Sequence, residues 1–77
     1  MDNYRVRCAW DEEAKVWYVE DSNVPGLAAE ASTFEGLVAV LEKRVPELLD
    51  ENDVADGADI PLEIMSLSHR VVHRHAA

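Results

Sequence analysis

The chain has 77 residues, enough for one small domain and no more. Sixteen acids against seven Lys and Arg give a formal charge of −9, which disfavours direct nucleic-acid binding, because phosphate recognition needs cations that displace counterions. A single cysteine, Cys8, excludes an internal disulfide, and no stretch approaches the roughly 18 apolar residues of a membrane span.

The first element is read in "YRVRCAW", where Tyr4, Val6, Cys8 and Trp10 alternate with Arg5 and Arg7. Period-2 patterning of this kind predicts a half-buried strand. The polar "DEEAK" has hairpin length and leads into "VWYVE". There Val16 and Tyr18 lie on one face and Trp17 and Val19 on the other, as expected of a central or doubly covered strand. In "DSNVPG", Pro25 presets φ and Gly26 is free to take φ > 0, the needs of a type II turn. "LAAEA", residues 27–31, then reads as a short third strand.

Ser32 and Glu35 match the S-x-x-E capping box. Beyond them Leu37, Val40, Leu41, Val45, Leu48 and Leu49 recur at three- and four-residue steps, predicting one apolar helix face. Pro46 interrupts this pattern and is expected to kink the helix or to begin a second one at "PELLDEN". "DVADGAD" reads as a polar linker. In "IPLEIMSLSHRVV", Ile60, Leu62 and Ile64 alternate with Pro61 and Glu63, which predicts a last strand at an edge. The order strand, strand, strand, helix, strand predicts an α+β two-layer sandwich, β-β-β-α-β, with one helix on a small, mainly antiparallel sheet.

The chemistry-bearing residues do not assemble into a catalytic motif. Asp11, Glu12 and Glu13 lack the ligand spacing of a cation loop and read as a solvated turn. His69, His73 and His75 carry no His-Glu-x-x-His signature and read as a loose or partner-contacting tail. Cys8 lies mid-strand on the apolar phase, as a buried hydrophobe does. No phosphate-cradling glycine motif occurs, so no cofactor, metal or enzymatic activity is expected. The N-terminal "MDNYRVRC" has no apolar signal-peptide core, so a cytoplasmic location is expected. Domains of this size bury only roughly 60% of their unfolded surface and commonly gain stability by association. Charge is uneven as well: residues 65–77 contain two arginines, three histidines and no acid. The first 64 residues hold all sixteen acids and five basic residues, a charge of −11. An acidic body of this kind suits a basic protein partner, whose approach it would steer.

Several pieces together carry a resemblance: Trp10-Asp11-Glu12-Glu13-Ala14-Lys15-Val16-Trp17, Val24-Pro25-Gly26-Leu27, Glu30-Ala31-Ser32-Thr33 and Val45-Pro46-Glu47-Leu48-Leu49. From about Tyr4 to Ile64 the chain resembles HicB-type antitoxins, and more closely an uncharacterised bacterial family of short HicB-related domains. The resemblance implies a partial double-stranded-RNA-binding-like fold that no longer binds RNA. It also implies a partner: such antitoxin domains cover a small basic mRNA-cleaving toxin and often multimerise. Only 13 residues follow Ile64, so the DNA-binding domain of full antitoxins is not expected here. On this reading residues 1–67 form the HicB-like domain and 68–77 a short basic, histidine-containing tail. The expected partners are a small basic protein, further copies of the chain in a dimer or tetramer, or both, with no membrane contact. Interface candidates are the acids Glu12, Glu13, Glu20 and Asp21 and the aromatic anchors Trp17 and Tyr18.

Overall fold

Alternation in the first eleven residues produces the strand it predicts. In the computed structural model, which describes residues 3–51, 60–68 and 71–75, β1 spans Tyr4–Asp11 and β2 spans Val16–Ser22. β3 is Glu30–Ala31, α1 is Phe34–Glu51 and β4 is Leu62–Leu67. The sheet runs β3-β2-β1-β4, so the strand apolar on both faces is central, as read. The predicted linker at 53–59 lies outside the described residues.

The β1–β2 hairpin is closed by the side chain of Asp11. Its Oδ1 accepts from the backbone N–H groups of Glu13 at 3.0 Å and Ala14 at 3.1 Å. The N–H of Lys15 donates to the Asp11 carbonyl at 2.7 Å, with Lys15 at φ 59°. At the far end of the hairpin Asn23 extends the ladder. It accepts from the Arg5 N–H at 2.7 Å and donates through Nδ2 to the Asn3 carbonyl at 3.0 Å. The Pro25-Gly26 turn forms as predicted, with Gly26 at φ 71° and the Leu27 N–H donating to the Val24 carbonyl at 3.3 Å.

One irregularity sets the faces of the sheet. Arg7 pairs with Asp21 and Cys8 with Val19, so Glu20 is an extra residue bulged out of β2. The bulge places Ser22, Val19 and Trp17 on the same face as Val6, Cys8 and Trp10. Arg7, Asp21, Ala9 and Tyr18 share the opposite face.

β4 pairs with β1 in parallel, from Tyr4 beside Leu62 to Ala9 beside Leu67. The sheet is therefore mixed, with two antiparallel ladders and one parallel one. β3 and β4 run the same way on opposite edges, so α1 must cross the sheet to join them, the connection that parallel strands require. In crossing, α1 covers one face. Leu37, Leu41, Val45, Leu48 and Leu49 pack with Tyr4, Val6, Cys8 and Val24 in one core. Each fully buried leucine contributes about 1.5–3 kcal/mol relative to exposure.

Three local expectations are corrected, and the choice left open at Pro46 falls to a single helix. The third strand is two residues long rather than five; residues 27–29 reach β2 through the bond from the Val19 N–H to the Ala29 carbonyl, at 3.1 Å. Val40 is exposed, because at 3.6 residues per turn it falls roughly 110° from the centre of the buried stripe. Pro46 does not begin a second helix: α1 continues through it, with Pro46 on the exposed side. The cap is Thr33 rather than Ser32. Thr33 Oγ1 accepts from the Gly36 N–H at 2.9 Å, three residues on. A Cβ at position 36 would lie 2.9 Å from that same oxygen, so a side chain there collides with the cap.

Two outcomes follow for stability. Thr33→Ala is expected to cost about 1 kcal/mol in chemical denaturation and Ser32→Ala nearly nothing; a loss confined to Ser32 would restore the S-x-x-E cap. Pro46→Ala recovers the bond to the Glu42 carbonyl and should stabilise by about 1–3 kcal/mol. An unchanged or lowered thermal midpoint would contradict that account.

Candidate functional site

α1 covers only one side of the sheet. The opposite side is formed by the other phase of each strand: Arg5, Arg7 and Ala9 on β1, Tyr18 and Asp21 on β2, Glu30 on β3, and Glu63, Met65 and Leu67 on β4. Its middle is apolar. Ala9 is only 7% exposed although it faces away from α1, because it is the small residue between Tyr18 and Leu67. Met65 and Leu67 stand open beside it, at 38% and 37%. Together these residues make a shallow apolar saddle with half-buried Tyr18 on one side.

Charge borders the saddle. Arg7 lies between its register partners Asp21 and Met65 and forms a 3.8 Å ion pair with Glu20. Both groups of that pair are exposed, so it adds little stability and constrains a partner little. A depression of about 260 Å³ lies among Arg5, Arg7, Asp21, Ser22, Asn23 and Met65.

The sequence candidates separate into three places. Tyr18, Glu20 and Asp21 belong to this uncovered side or its border. Glu12 and Glu13 sit in the hairpin turn. There Glu12 accepts from Trp10 Nε1 at 3.1 Å and forms an ion pair with Lys15. Trp17 lies on the helix side, its ring 5.3 Å from Phe34 edge-on and 5.8 Å from Trp10. Sequence reading did not single out Arg5, Arg7, Ala9, Met65 or Leu67. Their signal was the phase opposite Tyr4, Val6 and Cys8, which is visible in β1 and weak in β4.

Cys8 is fully buried in the core, and burial pushes its thiol up from the ordinary range. His73 and His75 stand in exposed chain after β4, while His69 lies outside the described residues. Among the described residues no three His, Cys, Asp or Glu gather as a metal site, and no helix is long and apolar enough to cross a membrane.

The chain matches the family described as "Domain of unknown function (DUF1902)" over residues 3–74. It belongs to the DUF1902 family. No curated protein matches it. Among solved structures it is similar to the crystal structure of hypothetical protein TTHA1013 from the extremely thermophilic bacterium Thermus thermophilus. That likeness has 44% identity and a TM-score of 0.70, and it covers 95% of this chain and all of the other. The DUF1902 assignment agrees with the expected short, uncharacterised family, and neither finding carries the HicB name.

For this DUF1902 chain, the buried thiol gives a direct check on the core. Cys8 should resist a thiol reagent at neutral pH in the native protein and react fully once the chain is unfolded in guanidinium. Rapid native labelling would contradict its burial.

Proposed function

We propose that this chain is a non-enzymatic protein-interaction module of the HicB antitoxin kind, which docks a small basic protein on its uncovered sheet face. One observation carries the reading: a four-stranded sheet with an apolar saddle, Ala9, Tyr18, Met65 and Leu67, left open to solvent on the side away from α1. An aromatic anchor beside small and flexible apolar residues is the composition that concentrates binding energy in protein interfaces. The surrounding charge favours a cationic partner. Asp21, Glu30 and Glu63 lie on this face and Glu20 on its border, against Arg5 and Arg7, in a protein of charge −9. The resemblance to HicB-type antitoxins names the class of such a partner, a small basic mRNA-cleaving toxin.

The test is affinity purification at low salt from cells expressing the tagged chain together with the small basic protein encoded beside it. Co-elution is expected, with at least tenfold weaker binding for Tyr18→Asp and for Glu20→Lys combined with Asp21→Lys. Binding should fall steeply with added salt for the wild type and less steeply for the charge variant. No such basic neighbour, or binding indifferent to all three substitutions, would remove the antitoxin reading.

A further inference from the structure

We infer that two copies of this chain exchange their C-terminal segments, residues 71–75 of each adding a strand to the free edge of β4 in the other. The surface differs from the uncovered face of the proposed function, and the inference stands without it. Among the described residues, an extended segment has nothing to cover it and one sheet edge has nothing beside it.

Val71 and Val72 are 85% and 86% exposed, and residues 71–75 make no hydrogen bond or ion pair among the described residues. Two adjacent β-branched residues suit a strand, yet no strand forms here in the single chain. The molecule is also elongated: its radius of gyration is 15.5 Å, against about 11.5 Å for a compact chain of this length.

β4 ends the sheet. Its inner side pairs with β1, and its outer side presents a row of unpaired backbone groups. Pro61 stands just before the strand, leaving Leu62–Leu67 able to pair throughout. The edge carries apolar side chains on both faces. Toward the helix, a cleft of about 270 Å³ runs among Leu41, Glu42, Val45, Pro46, Ile60, Leu62 and Ile64. On the opposite side are Met65 and Leu67.

An extended Val-Val pair sends its two side chains to opposite sides of the sheet. On this edge one valine therefore enters the cleft beside Ile64 and the other joins Met65 and Leu67. Charge selects the same match. The segment from residue 65 onward has no acid, and Arg74 follows the valines. Glu42 lines the cleft and Glu63 lies on the other side of β4. Main-chain bonding with alternating side-chain pockets is the mode by which extended peptides add to sheet edges. A second copy supplies the segment because the chain's own residues 71–75 do not fold back on β4. Reciprocal exchange fills both edges in one closed two-fold dimer.

The test uses the full chain. Sedimentation equilibrium at tens of micromolar should give a dimer for the wild type. Val71→Asp with Val72→Asp should weaken dimerisation at least tenfold with unchanged far-ultraviolet circular dichroism, since neither valine is in the core. A second variant, Glu42→Cys with Val72→Cys, should on mild oxidation give a disulfide-linked dimer on denaturing gels. A monomeric wild type overturns the inference, as does a dimer indifferent to the two aspartates. A cross-link closing within one chain also overturns it and assigns the segment to its own edge. A dimer lost only on Tyr18→Asp overturns it in favour of self-association through the uncovered face, which would leave the basic-partner assay of that face to be judged by itself.

Discussion

A four-stranded sheet has two faces, and the described residues supply one helix, α1, to cover them. Because β3 and β4 run the same way on opposite edges, α1 has to traverse the sheet, and its leucines bury one face in doing so. That crossing fixes the arrangement of everything else. Tyr4, Val6 and Cys8 become interior with Trp17 and Val19 packed against them, and Arg5, Arg7, Tyr18 and Asp21 take the opposite face. The small core this yields matches the marginal burial expected of a 77-residue chain. What α1 does not reach, the saddle around Ala9 and the outer edge of β4, is where association with other molecules would add buried area.

Much of the fold was legible because its strongest signals are periodic. Tyr4-Val6-Cys8 gives the period of two, and Leu37-Leu41-Val45-Leu48 gives that of the helix. The Pro25-Gly26 turn was readable from chemistry alone, since φ at Gly26 is one that other residues avoid. Other features depend on information that a linear pattern does not contain. Whether β4 runs parallel or antiparallel to β1 is decided by where α1 delivers the chain, and Leu62-Ile64 alternates identically either way. The five-residue strand at 27–31 shrank to two because alternating alanines satisfy a strand pattern without the side-chain bulk that holds one in place.

The helix start shows how two adequate local signals compete. Ser32 and Thr33 are both good caps, and Glu35 favoured the first. The deciding residue is Gly36, a poor helix former that looks misplaced in a first turn until its lack of a Cβ is set against the Thr33 hydroxyl. As for the candidate site, Tyr18, Glu20 and Asp21 were found from residue type. Ala9 was not, because an alanine matters there only through the larger residues that flank it.

The bulge at Glu20 has a consequence for how this sequence can change. With Glu20 kept and the ladder unbulged, any single register would turn either Trp17 and Val19 outward or Asp21 inward. The bulge acts as a phase adjuster between a stretch committed to the core and a stretch committed to solvent. Substitutions along β2 leave that phase intact, whatever they cost in contacts. Removing Glu20 itself would do so too, because its loss closes the bulge and keeps Arg7 beside Asp21 and Cys8 beside Val19 in an ordinary ladder. Position 20 is therefore a joint at which β2 can lose a residue without turning its core side chains outward, and lineages of this domain should tolerate a gap there more readily than elsewhere in the strand.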